Sequence, residues 1–258
     1  MAYRFLSIRF ADNVAIIAIN RPDRMNALSV DLLGEILSSI DEVEDHGAKA
    51  ILFTGEGRSF SAGADLAPDQ PLEADLGQTL ETAYHPLFRR LMAVDRPIIS
   101  AINGPAVGAG AALALAADIS VIARSAYLQF GFVNIGLVPD SGLSWLLTRS
   151  VGRVRALELT LLGDRIGAEQ AVAMGLVSRL ADDDACLRDA LALAQRLASG
   201  PAPAMGLIRQ QIAAALDADY EGVLSIEKAN QSLAGKSRDF HEGIAAFRGK
   251  RSPRFSGD

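Results

Sequence analysis

Cysteine occurs once in this chain, at Cys186, so the sequence carries neither a disulfide framework nor a thiolate metal cluster. Histidine occurs three times, and His46 and His241 stand in polar surroundings without the spacing of a metal site. An excess of basic residues is missing too. The formal net charge is −6, and no strong basic tract runs against it, which argues against nucleic acid as a partner. No uninterrupted apolar run is long enough to span a bilayer, and Met1-Ala2-Tyr3-Arg4-Phe5 lacks the charged-then-apolar order of a secretion signal. The expectation is a cytoplasmic protein without metal or membrane association.

What the chain has instead is small residues placed where a backbone must come close to something. Ile98-Ile99-Ser100-Ala101-Ile102 reads as a β-branched strand, followed by Asn103-Gly104-Pro105 and a helix start, Gly108-Ala109-Gly110-Ala111-Ala112, built almost wholly of glycine and alanine. The first amides of a helix have no acceptor within the helix and lie at the positive end of its dipole. The useful group here is the N–H near Ala109, not a side chain. A second such stretch, Phe60-Ser61-Ala62-Gly63-Ala64-Asp65-Leu66, follows the Gly55-Glu56-Gly57-Arg58 turn. If the N–H groups of Ala62 and Ala109 converge, they form two donors for one oxygen, the arrangement that stabilises an enolate formed from a thioester.

Hydrophobic periodicity predicts strands over 5–10, 14–19, 49–54, 98–102 and 119–123. Helices are expected over 29–43 with Ser29 as cap, 80–94, 108–117, 143–149, 153–162, 168–174, 185–198, 204–216 and 219–234. Gly152, Gly163 and Gly175 serve as breaks, and Pro68 to Gln78 reads as a loop. Strand and helix alternate in the first half and helix dominates the second, which gives an α/β core with a helical end. The closing Lys250-Arg251-Ser252-Pro253-Arg254-Phe255 lacks periodicity and is expected to pack on another surface in an oligomer.

Three segments in this order, Asn20-Arg21-Pro22-Asp23-Arg24-Met25-Asn26-Ala27-Leu28-Ser29, Phe60 to Leu66, and Asn103 to Gly110, resemble the crotonase, or enoyl-CoA hydratase/isomerase, superfamily over essentially the whole chain. The resemblance implies a spiral of β-β-α units at 1–199, a C-terminal helical trimerisation region at 200–258, and a homotrimer or dimer of trimers. It also implies an acyl-CoA substrate, with coenzyme A as part of the thioester and no separate cofactor. The coenzyme would pass Arg24, Ala62, Ala64, Asp65 and Leu66, and Phe247 and Lys250 fall where a neighbouring subunit's coenzyme is often reached.

An oxyanion hole needs an acid or base beside it. The two glutamates of hydration chemistry in the family correspond to Ala112 and Phe132, and neither can transfer a proton. Asp118, the only carboxylate between Pro97 and Pro139, ends the alanine-rich helix and is expected to point away from its first amides. Asp140, in Leu137-Val138-Pro139-Asp140-Ser141-Gly142, has apolar flanks that would raise its pKa toward a value useful for proton transfer. An aspartate there can also simply cap a helix, but one carboxylate that removes and returns a proton suits isomerisation better than hydration.

Val138 to Gly142, Leu233 to Gly243, and Phe247 with Lys250 to Phe255 are similar to the 1,2-epoxyphenylacetyl-CoA isomerase branch of phenylacetate degradation, in which the aspartate matching Asp140 is the acid/base. Leu143 stands where that branch has a further glycine. The leading reading is an acyl-CoA isomerase acting on that ring epoxide, on enoyl-CoA double bonds, or on both; an enoyl-CoA hydratase using Asp140 alone and an inactive homologue with a binding or structural role are the alternatives. His85 could line the acyl pocket, but a structural or surface role is expected for it; Trp145 is expected to be core or pocket wall, and Asp65 to cap the turn that follows it or orient the loop.

Overall fold

The computed structural model describes residues 3–67 and 75–257. Its central sheet is ordered β1-β2-β3-β4-β6-β9 among the described residues, with β1 (Leu6–Ala11) antiparallel to β2 (Val14–Ile19). The parallel strands that follow are β3 (Ala50–Gly55), β4 (Ile98–Ile102), β6 (Ile119–Ala123) and β9 (Arg179–Ala181). Every residue of β2, β3 and β4 is buried, which is why they read as continuous apolar runs and not as alternating ones. Helix α1 (Val30–Asp45) begins at Ser29, whose side chain accepts from the Leu32 N–H, and α7 (Cys186–Ala198) lies across β2, β3, β4 and β6.

A second small sheet, β5-β7-β8, lies outside the sequence reading. Its strands, β5 (Ala106–Val107), β7 (Tyr127–Gln129) and β8 (Arg165–Gly167), are two or three residues long, too short to show a period. The sheet has a positional role. Pairing of Val107 with Gln129, extended by the Gly108 N–H donating to the Gln129 carbonyl, fixes the backbone just before α4 (Ala109–Leu115).

The predicted loop from Pro68 to Gln78 falls in part on residues 68–74, outside the described residues. Its far end is helical: Asp75 accepts from the Gly77 and Gln78 N–H groups and starts α2 (Leu76–Thr79), earlier than the expected start at 80. A π turn over Leu80–Tyr84 then leads into α3 (His85–Ala93). Further on, α5 (Leu143–Leu162) is two helices joined at Gly152, whose φ of 75° and ψ of 166° break the helix where the sequence places a stop. The short α6 (Ala168–Ala173) precedes β9.

The end of the chain consists of α8 (Ala202–Ala215), α9 (Tyr220–Ala234) and α10 (Arg238–Arg248). The tail after α10 has contacts within its own chain. Buried Asp239 accepts from the N–H groups of Ser256 and Gly257, Glu242 accepts from the Arg254 N–H and pairs with Arg251, and Lys49 donates to the Ser256 carbonyl. The helices still expose Ile208, Ile212, Tyr220, Leu233 and Phe247.

Candidate active site

The N-terminal motif shapes the first wall of the site. Met25 and Asn26 both take left-handed backbone, with φ of 51° and 59°. Asparagine tolerates that region better than most residues, and here its fully buried side chain is used at both ends. Asn26 Oδ1 accepts from the Arg21 N–H at 2.9 Å, while Nδ2 donates to the carbonyls of Glu56 and Ser59 at 3.0 and 2.7 Å. Asn103 does the same for the neighbouring turn, exchanging hydrogen bonds with both backbone groups of Gly55. Glycine is required where these turns touch, since a Cβ on Gly104 would lie 2.1 Å from the Arg58 carbonyl oxygen.

These contacts bring the two small-residue stretches together. The Phe60 and Ser61 N–H groups donate to the Pro105 carbonyl, and the Val107 N–H donates to the Ser61 carbonyl at 2.9 Å. On the other side, Leu28 donates to the Gly63 carbonyl and accepts from the Asp65 N–H. A Cβ on Gly63, whose φ is 87°, would sit 2.7 Å from the Val107 oxygen and 3.6 Å from the Ala109 nitrogen, so the stretch around Gly63 adjoins the start of α4.

Which amide is free differs from the sequence reading. Ala62 N–H donates to the Met25 carbonyl at 3.0 Å and is occupied. Ala64 takes its place. Because Gly63 and Asp65 spend their bridge hydrogen bonds on Leu28, the N–H of Ala64 between them points to the opposite side, where no described residue accepts from it. Ala109, at the first position of α4, likewise donates to no described residue. Ala64 lines the large cleft, while Ala62 and the buried Ala109 are not among its lining residues.

That cleft has a volume of about 1540 Å³, and Arg24, Asp31, Ala64, Asp140 and Leu143 are among the residues that line it. Arg24, Asp65 and Leu66 line it, whereas Phe247 and Lys250 of the same chain do not. Asp65 caps the turn by accepting from the Ala67 N–H at 3.2 Å, and its other oxygen pairs with Arg21 at 2.8 Å. Arg21 was not singled out from the sequence, although its place in the N-terminal motif was the available signal.

Asp140 sits on the loop between the 3-10 turn Gly131–Ile135 and α5. Ser141 and Gly142 follow it with φ of 54° and 76°, and the left-handed serine is buried. A non-glycine residue held in that region is strained, which is characteristic of functional loops. Asp140 does not cap α5: its carboxylate accepts from the Ser141 hydroxyl at 2.8 Å, and Gly142 occupies the cap position. Burial pushes its pKa above the usual carboxylate value, against lowering by the Ser141 hydroxyl and by His85. Ala112 and Phe132 are buried, and the Phe132 ring stands 3.7 Å from where a Cβ on Gly108 would be.

Several other residues are settled by their contacts. His85 lines the cleft and also reaches the surface, its side chain 36% exposed with Nδ1 2.8 Å from Glu81. Asp118 accepts from the Ile98 N–H and pairs with Arg209, away from the first turn of α4. Trp145 stacks with Arg149, and buried Cys186, its thiol pushed up to about 12 by burial, contacts the Val121 carbonyl.

Comparison with known proteins agrees with this geometry. The sequence profile of the enoyl-CoA hydratase/isomerase family matches residues 9–258. The chain is 41% identical to the 1,2-epoxyphenylacetyl-CoA isomerase of Escherichia coli K12 over 98% of both chains. It is 35% identical to the 2,3-dehydroadipyl-CoA hydratase of the same organism over 95% of both. Among solved structures, an enoyl-CoA hydratase subunit of Geobacillus kaustophilus superposes with a TM-score of 0.91 at 35% identity over 99% of each chain. With that fold and those motifs, the chain belongs to the enoyl-CoA hydratase/isomerase family, the crotonases.

Proposed function

We propose that this crotonase is an acyl-CoA isomerase acting on 2-(1,2-epoxy-1,2-dihydrophenyl)acetyl-CoA, on 3-enoyl-CoA thioesters, or on both. The thioester carbonyl oxygen accepts from the N–H groups of Ala64 and Ala109, which stabilise the negative charge that develops when a proton leaves the acyl chain. Asp140 takes that proton and returns it to another carbon. No water enters, and substrate and product are isomers.

The observation that carries this reading is the position of Asp140 in the cleft, raised in pKa by burial, while Ala112 and Phe132 leave the alternative acid/base positions without a carboxyl group. Asp65, the other partly buried carboxylate of the wall, is neutralised by Arg21. Similarity to the E. coli isomerase supports the same choice. Similarity to a hydratase supports the second reading, in which Asp140 activates water for addition to a 2-enoyl-CoA.

Coenzyme A belongs to the substrate in this proposal, and no separate cofactor is needed. It would follow Arg24, Ala64, Asp65 and Leu66. Phe247, at 83% exposure, and Lys250 would complete the coenzyme site of a neighbouring copy, in a homotrimer or dimer of trimers built through residues 200–258. The function is tested by incubating the purified protein with a panel of 2-enoyl-CoA, 3-enoyl-CoA and ring-epoxide thioesters. Shifted alkenes or the ring-expanded oxepin are the expected products. Accumulation of 3-hydroxyacyl-CoA with no isomerised product rejects the isomerase.

A further inference from the structure

The cleft contains a polar group that the proton transfer does not use. A π turn over Leu80–Tyr84 interrupts the helix between Leu76–Thr79 and His85–Ala93, and Leu80, Tyr84 and His85 all come to line the cleft. Turns of this kind re-aim side chains and recur at functional sites. Tyr84 is 7% exposed, so its ring is part of the wall. Its hydroxyl donates to no described residue, while two carboxylates of the cleft have partners of their own: Asp140 with Ser141, and Asp65 with Arg21 and Ala67.

We infer that Tyr84 is a specificity-determining residue whose hydroxyl donates a hydrogen bond to an oxygen atom on the acyl group, so that the site selects acyl-CoA substrates carrying an acceptor oxygen near the reacting carbons. The hydroxyl is not sealed in the protein interior, and a donor in a cleft with no protein partner is free to pair with an acceptor on a ligand. The phenol is held in its donor form, since burial, with Asp140 and Asp65 adding to it, pushes its pKa up to about 12. Tyr84 and Asp140 line the same cleft, so the phenol belongs to the pocket that also holds the proposed base. A ring epoxide offers such an oxygen, and a plain hydrocarbon enoyl chain does not. The inference rests on the proposed acyl-CoA site and chooses between its two substrate classes.

Binding without turnover separates this assignment from the role of Asp140. The probes are 2-methoxyphenylacetyl-CoA and 2-ethylphenylacetyl-CoA, which are close in shape and differ in the acceptor oxygen. Their dissociation constants are measured by calorimetry on the wild type and on Tyr84→Phe, a variant that removes a hydroxyl with no protein partner and leaves the ring to pack. The methoxy-to-ethyl preference of the wild type is expected to fall by about fivefold to tenfold in Tyr84→Phe, the effect of one net hydrogen bond. An unchanged preference in Tyr84→Phe, or failure of the wild type to bind either probe, overturns the assignment. Full isomerase turnover by Asp140→Asn would sink the proton-transfer proposal alone and would leave this ratio as it stands.

Discussion

Arg21 and Asp65 form an ion pair at 2.8 Å with side chains only 10% and 4% exposed, and it locks the N-terminal motif onto the loop that presents the Ala64 amide. Arg21 also donates to the Ala27 carbonyl, so one guanidinium spans both sides of the turn. The pair sits at the wall of the cleft and holds the residue next to the proposed oxyanion donor.

Removing one partner of a buried pair leaves the other charge uncompensated, at a cost of about 3–5 kcal/mol. Arg21→Ala is therefore expected to lower the denaturant midpoint strongly and to reduce kcat/KM through displacement of Ala64. Arg21→Lys keeps the charge but loses the planar fork, and should fall between the two. Chemical denaturation measured beside steady-state kinetics checks both, and a variant as stable as the wild type would count against the pair.

Asp140→Asn keeps the shape of the loop and removes the base. General acid–base catalysis contributes typically about 10²–10⁴-fold, so kcat should fall within that span while the affinity for a non-reacting acyl-CoA stays close to that of the wild type. Unaltered turnover would reduce Asp140 to a loop residue held by Ser141.

The raised pKa of Asp140 sets the direction of the pH profile. A base works as the carboxylate, so kcat/KM should fall as pH drops through its raised value, with the acid limb above the ordinary aspartate pKa of about 3.9. His85 lowers that pKa, so replacing it with asparagine should move the limb to higher pH. The displacement is read from pH–rate profiles of both proteins, and a shift to lower pH contradicts the assignment.

Asp239 ties down the end of the chain from a buried position, accepting from the N–H groups of Ser256 and Gly257. Hydrogen bonds to a charged group are worth about 1.5–3 kcal/mol, and Asp239→Ala should lose an amount of that order. Release of the tail should also make the bonds around Ser256 sensitive to limited proteolysis. Protease resistance equal to that of the wild type would show that the other tail contacts suffice.

Much of the fold and of the proposed site was legible in the order of residues. The strands were readable because buried parallel strands are continuous apolar runs, and the close-approach turns because only glycine and alanine admit another backbone there. Gly63 and Gly104 show this directly, since a Cβ at either would overlap a carbonyl oxygen. Asp140 stood out as a lone carboxylate among apolar neighbours, and the absence of glutamate at 112 and 132 needed no coordinates.

The fold alone decided which amide is available and which polar groups are spent. Ala62 and Ala64 are the same residue type two positions apart, and only the Met25 carbonyl, brought in by two left-handed residues, occupies one of them. The three short strands that steady α4, the Arg21–Asp65 pair and the open hydroxyl of Tyr84 depend likewise on contacts between distant segments. Sequence specifies residue types and local period; whether a donor is free is settled by what reaches it across the chain, and that exists only once the segments have packed.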